Sequence, residues 1–160
     1  DPTLIPSISD GVKIVQNYKL SSRDKNFRIN EIYNNYNDKI HKIIKTKKIN
    51  LIISLHSFNP YYKKKKRNIK FGILSNSDRR YSDIIIEILS KKGYRVGDNQ
   101  PYEGNLTGDT MHRHGLRNGI LHTLIETRND LLQSSKNISD ISNVLFQVIR
   151  TSKQKVGKYL

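Results

Sequence analysis

The chain has 160 residues, a formal net charge of +15 and 35% hydrophobic residues, a length that fits one domain with a buried core. It has no cysteine, which excludes disulfides, thiolate zinc sites and a cysteine nucleophile. No apolar run approaches the roughly 20 residues of a membrane span, so we expect a protein without membrane contact. We also expect it to be cytoplasmic, with which the absence of cysteine is compatible.

Helix-like and strand-like segments alternate along the chain, which is typical of an α/β fold. In chain order we predict a loop at 1–13, a helix at 21–47, a strand at 49–55, a polar loop at 59–68, a strand at 69–74, a helix at 81–92, a short strand at 94–96, a loop at 97–118, a strand at 119–126 and a helix from Ile138. The first residue is Asp1 and the only methionine is Met111. We therefore expect residues 1–160 to form a single partial domain that lacks its N-terminal part.

Two apolar runs each end in a residue that can take part in hydrolytic chemistry. Residues 49–55 lead into His56, and residues 119–125 lead into Glu126. Short apolar runs between helices are typical of buried parallel strands, and ligands of open α/β sheets bind beyond the carboxyl ends of the strands. We therefore predict that His56 and Glu126 face one crevice. The alternatives are a surface histidine and an ion pair between Glu126 and Arg128.

Two further segments offer polar side chains to that crevice. Gly97–Tyr102 follows a predicted strand, although its Gly, Asp, Asn and Pro residues also favour a plain turn. Met111–Gly115 carries His112 and His114, whose spacing would suit zinc on a strand. Because we predict a loop here, we favour substrate contact or support of other site residues for these histidines.

The run Tyr61–Arg67 places aromatic residues beside five basic ones. This combination occurs in nucleic-acid-binding proteins, but in this chain lysines are spread along the whole sequence. We therefore interpret the run as a solvated loop between two strands and expect no nucleic-acid partner. A basic loop near the crevice would also attract a small anionic substrate.

Several motifs occur in a fixed order and together point to one family. They are Ser54–Pro60, Gly97–Tyr102, Arg113–Gly115 and Leu124–Leu131, preceded by the opening segment Ile5–Gly11. Together they resemble the N-formylglutamate amidohydrolase family, a branch of the zinc carboxypeptidase-like hydrolases. The resemblance implies a three-layer α/β/α fold with a mixed, mostly parallel sheet. It also implies hydrolysis of N-formyl-L-glutamate to formate and L-glutamate at a single Zn²⁺ ion.

The resemblance also implies roles for individual residues. His56 looks like a zinc ligand, and Glu126 looks like the carboxylate that activates the metal-bound water. Candidates for holding the substrate or the oxyanion are Arg128, His114, Asn99 and Tyr102. The remaining zinc ligands of the family lie upstream of Asp1, so we expect this chain alone to be inactive.

Three hypotheses follow from these patterns. The leading one is a zinc-dependent amidohydrolase for small anionic N-acyl amino acids, above all N-formyl-L-glutamate, represented here by part of its catalytic domain. One alternative is a catalytically inactive ligand-binding module on the same fold. The other is a basic nucleic-acid-binding protein that uses Tyr61–Arg67.

Overall fold

The computed structural model describes residues 20–157 and the backbone of two short strands before them. These strands correct the predicted loop at 1–13 where they occur, and the rest of that loop lies outside the described residues. The strands are β1 (Ile8–Ser9), β2 (Val12–Lys13), β3 (Leu51–Phe58), β4 (Tyr61–Tyr62), β5 (Lys65–Lys66), β6 (Phe71–Leu74), β7 (Val96–Asp98) and β8 (Leu121–Arg128). The α-helices are α1 (Ser22–Phe27), α2 (Asn35–Lys47), α3 (Ser82–Lys91) and α4 (Ser135–Val156), with 3₁₀ turns at Leu116–Asn118 and Asn129–Leu132. None of the helices in this part of the chain is long and apolar enough to span a membrane.

The main sheet has four strands in the order β3–β8–β6–β7. β3 pairs with β8 in parallel, β6 pairs with β7 in parallel, and β6 pairs with β8 in antiparallel orientation. Most neighbouring pairs are therefore parallel, which confirms the predicted mixed sheet of an α/β fold. Strands β1 and β2, and strands β4 and β5, form two separate antiparallel pairs.

β8 is the strand on which the core is built. All of its residues are buried except Leu124, which is half-buried. Leu121 and Ile125 belong to the apolar core that the sheet forms with residues of α3 and α4. Because side chains alternate along a strand, Glu126 and Leu124 point to the opposite face of the sheet. That second face carries the candidate site.

The helix predicted at 21–47 is present, but it is not one continuous α-helix. The Ser21 side chain caps its start by accepting a hydrogen bond from the backbone N–H of Asp24 at 3.0 Å. A π-helical segment, Arg28–Asn34, joins α1 to α2, and Lys48 ends α2 in a left-handed conformation. None of the described residues of α1, the π-helical segment or α2 is fully buried, so the apolar face is only partly covered.

The structure corrects several predicted elements. The loop predicted at 59–68 contains the β4–β5 hairpin. Met111–Gly115 is a π-helical turn and not an open loop. β7 begins at Val96, later than predicted, and α4 begins at Ser135, earlier than predicted. The earlier start of α4 has a local cause, because the Ser134 side chain caps the first turn.

Candidate active site

The structure brings His56 and Glu126 together. His56 on β3 is the register partner of Glu126 on β8, and partners in a parallel pair point their side chains to the same face of the sheet. His56 Nδ1 lies 3.8 Å from Glu126 Oε1. The two side chains therefore face one crevice, while their chemical roles stay predictions.

Glu126 is a buried carboxyl group with few compensating contacts. Its side chain is 6% exposed, whereas that of His56 is 54% exposed. Within the described part of the chain, Glu126 Oε2 is buried without a hydrogen-bond partner. Burial raises the pKa of Glu126, and the neighbouring His56 and Arg67 oppose that rise only in part. A carboxyl group with a raised pKa is suited to accept and return a proton near neutral pH.

Both residues line a cavity of about 240 Å³, which we term the Glu126 cavity. Apolar atoms form most of its wall, and the polar lining groups besides His56 and Glu126 are Tyr102, Glu103 and Asp109. Small-molecule sites typically combine apolar walls with a few polar groups that orient the ligand. The cavity therefore has the character of a site for a small organic molecule.

The loop that contains Asn99 and Tyr102 reaches the cavity by turning back across the sheet. β7 runs parallel to β6 and antiparallel to β8, so its carboxyl end points away from Glu126. The carboxyl end of β7 is therefore not at the crevice, contrary to the prediction. Asn99 adopts a φ of 48°, and its Oδ1 accepts a hydrogen bond from the backbone N–H of Ser75 at 2.9 Å. Tyr102 then lines the cavity, and Asn99 holds the turn outside it.

Gly72 allows this loop to cross the sheet. It is the register partner of Glu126 on β6, so a side chain here would point to the same face as the carboxylate. A Cβ atom at Gly72 would overlap the carbonyl oxygen of Gln100 and lie 3.2 Å from Cδ of Pro101. Glycine at this register therefore lets the chain pass beside Glu126 and deliver Tyr102 to the cavity.

Arg128 is held by contacts that fix the backbone beside the site. Its Nε donates to Asp130 Oδ1 at 2.7 Å, and its Nη1 donates to the carbonyl oxygens of Arg67 and Ile69 at 2.8 and 3.2 Å. The Arg128 guanidinium in turn lowers the pKa of Asp130. Among the described residues, Arg128 forms an ion pair with Asp130, and the alternative ion pair with Glu126 is not present. Arg128 therefore positions Arg67, and its direct contact with a substrate stays a prediction.

His114 lies apart from the Glu126 cavity. It is 5% exposed, and its Nε2 lies 2.8 Å from Oδ1 of Asn37 on α2. Burial lowers the pKa of His114, which favours the neutral imidazole. Met111, on the same π-helical turn, lines the cavity, and His114 does not. The observed role of His114 is to join that turn to α2, and its contact with a substrate stays a prediction.

Arg67 is a candidate functional residue that sequence reasoning did not identify. Its guanidinium carbon lies 5.7, 5.3 and 5.4 Å from the ring centres of Phe58, Tyr62 and Tyr102. It also donates from Nη1 to the carbonyl oxygen of Asn59 at 2.8 Å. In the sequence Arg67 is only the last member of a basic run. The only local signal was the aromatic residues that precede the run, Phe58 and Tyr62, because the third ring, Tyr102, comes from a distant part of the sequence.

The described residues do not make a zinc site by themselves. A catalytic zinc normally needs three protein ligands and an open position. Within residues 20–157, no group of three or more His, Cys, Asp or Glu side chains is placed to hold a metal ion. His56, with its exposed imidazole beside Glu126, fits as one ligand of a larger set.

Comparison with known proteins identifies a family and a solved structure of similar fold. The family model described as N-formylglutamate amidohydrolase matches residues 1–133, which is more than half of the chain. A solved structure, gene product Atu2144 from Agrobacterium tumefaciens, is similar to this chain with a TM-score of 0.87 and 25% sequence identity. The similarity covers 98% of this chain and 64% of that one. The comparison with curated proteins finds no match.

Proposed function

The chain belongs to the N-formylglutamate amidohydrolase family, and on this premise we propose that it hydrolyses N-formyl-L-glutamate or a related N-acyl amino acid. The products from N-formyl-L-glutamate are formate and L-glutamate. Family membership supports an amidohydrolase that acts on a small substrate. The choice of acyl group and amino acid is the finer part of the proposal, and it rests on the description of the family.

One observation carries the proposal, namely the buried Glu126 carboxyl group that faces His56. Burying a carboxylate oxygen without a hydrogen bond is unfavourable, and strongly perturbed carboxyl groups cluster at functional sites. Glu126 Oε2 is such an atom among the described residues. Its other oxygen lies 3.8 Å from the His56 imidazole, and both residues line a cavity of about 240 Å³. This arrangement supports hydrolysis at Glu126.

In the proposed reaction Glu126 acts as the general base and then as the general acid. Its carboxylate accepts a proton from water while the water oxygen bonds to the formyl carbon. The C–N bond of the tetrahedral intermediate then breaks, and Glu126 returns the proton to the leaving nitrogen. The raised pKa of Glu126 suits both transfers because it brings the proton affinity of the carboxylate closer to the working pH. Tyr102, on the cavity wall, offers a hydroxyl group to the developing oxyanion.

We also propose zinc as the cofactor, with His56 as one of its ligands. A zinc ion in such a site lowers the pKa of water and polarises the carbonyl group. The described residues supply no complete ligand set. His56 therefore requires further ligands from outside the described residues.

The test measures formate and L-glutamate released from N-formyl-L-glutamate by the protein at its natural length. We expect the two products in equal amounts, because one amide bond yields one of each. His56→Ala should lose both the zinc and the activity. His41→Ala, which removes an exposed histidine on α2, should keep both. Protein that holds zinc and releases no formate would refute the proposed reaction.

A catalytically inactive ligand-binding module on the same fold is the second candidate. The observation in its favour is the incomplete set of metal ligands among the described residues. Such a module would bind N-formyl-L-glutamate without zinc and would release no formate. Calorimetric titration in the absence of metal, followed by the formate assay with zinc added, separates the two functions.

A further inference from the structure

A second cavity, of about 620 Å³, lies between the β4–β5 hairpin and the turn at Gln100–Pro101. Its cationic lining residues are Lys63, Lys65, Lys66 and Arg67. No aspartate or glutamate is among the described residues that line it. A concave surface with an excess of one charge concentrates ions of the opposite charge. We refer to this cavity as the basic cleft.

Aromatic and acidic neighbours hold the cations of the basic cleft in place. Lys63 Nζ and the Arg67 guanidinium carbon each lie 5.3 Å from the ring centre of Tyr62. Lys66 Nζ lies 3.8 Å from Oδ2 of Asp130, which offsets part of its charge. A guanidinium group stacked on aromatic rings keeps its full charge and a defined orientation. Arg67 is therefore the most firmly oriented cation of the cleft.

The basic cleft and the Glu126 cavity share a wall. Tyr102 lines the Glu126 cavity, and Arg67, which lines the cleft, lies 5.4 Å from the centre of the Tyr102 ring. The charge of Arg67 also acts on Glu126, since it lowers the pKa of that carboxyl group. A substrate with its amide at Glu126 would have to extend past Tyr102 to place a second group against Arg67.

We propose that the basic cleft is the subsite for a substrate carboxylate remote from the scissile amide, and that Arg67 is the residue that selects it. The inference rests on the proposed function, which places the reacting amide at Glu126. An arginine binds a carboxylate through two parallel hydrogen bonds, and Lys63 and Lys65 add positive charge around that contact. On this assignment Arg67 is the residue that distinguishes an acidic side chain of the substrate from its neutral isostere.

Lys64 provides a matched control for the cleft lysines. It stands at the turn of the same hairpin, with a φ of 65°, but it is not one of the residues that line the cleft. Lys64→Gln and Lys65→Gln therefore remove the same charge from the same hairpin. A general attraction of anions to the hairpin would make the two variants behave alike. If the cleft is a carboxylate subsite, Lys65→Gln should lower the selectivity for the acidic substrate and Lys64→Gln should not.

The first experiment compares kcat/KM for N-formyl-L-glutamate with that for N-formyl-L-glutamine, using the protein at its natural length. Arg67→Gln should lower the ratio of the two values by about tenfold or more, as expected for one charge-assisted hydrogen bond. Arg67→Lys should retain part of the ratio because it keeps the charge. Lys65→Gln should lower the ratio less, and Lys64→Gln should leave it unchanged. An unchanged ratio in Arg67→Gln, or an equal loss in Lys64→Gln, would overturn the proposal.

The second experiment titrates the protein with glutarate, a dicarboxylate that has no amide to hydrolyse. If glutarate binds to the wild-type protein and not to Arg67→Gln, the subsite is supported. If the same proteins release no formate, only the proposed reaction is refuted. Equal binding to both proteins, or binding to neither, refutes the subsite even where formate is released. Thermal unfolding shows whether Arg67→Gln folds. If it does not fold, the comparison of Lys65→Gln with Lys64→Gln decides the outcome in both assays.

Discussion

Glu126 combines burial, an unsatisfied oxygen and a neighbouring imidazole in one side chain. Its Oε2 has no hydrogen-bond partner within the described residues, and its Oε1 lies 3.8 Å from His56 Nδ1. Each property alone occurs in residues that only support a fold. Together they break the rule that buried polar groups are satisfied, and such exceptions concentrate at functional sites. This combination supports the proposed proton transfer at Glu126.

The pH dependence of kcat/KM follows from the pKa of Glu126. A general base must be ionised, so activity falls as the pH drops through that pKa, which burial moves above the ordinary value of 4.5. Arg67 lowers this pKa. Arg67→Gln should therefore shift the acid limb of the profile to still higher pH, while Lys64→Gln should not. Superimposable acid limbs in the wild-type and Arg67→Gln proteins would contradict this account.

At the residue scale, the sequence predicted part of the site. The shared placement of His56 and Glu126 was predictable from the apolar run that precedes each residue. The predicted strand ends were too early, since β3 and β8 continue through both residues to Phe58 and Arg128. The role of Tyr102 stays a prediction, but its place on the cavity wall agrees with it. Arg67 was not predictable, because its ring contacts come from separate segments of the chain.

At the element scale, the register of the sheet determines what surrounds Glu126. The parallel pair β3–β8 places His56 beside it, and the antiparallel strand β6 places Gly72 on its other side. The missing side chain at Gly72 is what admits the loop that carries Tyr102. Strand existence could be predicted from apolar runs, whereas strand direction depends on tertiary packing. For that reason the sequence did not reveal the path of the loop after β7.

Gly72→Ala tests whether this close approach is needed. The added Cβ would overlap the Gln100 carbonyl oxygen, so we expect the free energy of unfolding to fall by about 1–3 kcal/mol, as for an overpacked core position. Formate release should fall as well, because the loop with Tyr102 would move. Gly157→Ala is the control, since no atom lies within 4 Å of the added Cβ there. Urea unfolding that shows equal stability for both variants would contradict the crossing geometry.

The β4–β5 hairpin should bind nucleic acid only through phosphate contacts. Its basic run contributes at most five cations, so duplex affinity should fall by about five hundredfold between about 50 and 200 mM salt. Scrambling the duplex sequence should not change the affinity. Fluorescence anisotropy with two unrelated duplexes measures both effects. Tight, sequence-dependent binding at the higher salt concentration would favour the nucleic-acid hypothesis instead.

At the scale of the whole molecule, the candidate site and the neighbouring basic cleft lie on one mixed sheet and its connecting loops. The sheet, the Glu126 cavity and the basic cleft lie within residues 20–157. The chain spans 64% of the length of its structural relative. The fold class and the family were predictable because ordered motifs run through most of the chain. The arrangement of the metal ligands was not, since the described residues contain no complete set.

Zinc binding by the isolated 160-residue chain should be weak. One histidine beside a carboxylate is fewer than the three ligands that hold a catalytic zinc. After incubation with zinc and gel filtration, we expect well below one ion per chain by metal analysis. His56→Ala should reduce even this amount, and His41→Ala should not. Stoichiometric zinc that survives gel filtration would show that the residues of this chain complete the site.

The most direct test of the account is the rate of formate release by Glu126→Gln at natural length, with N-formyl-L-glutamate as substrate. Glutamine keeps the shape of the side chain but cannot accept the proton, so kcat should fall by about a hundredfold or more. The zinc content should remain that of the wild-type protein, and Glu31→Gln, an exposed glutamate of the first helical region, should keep full activity. Near wild-type formate release by Glu126→Gln would contradict the assignment of Glu126 as the general base.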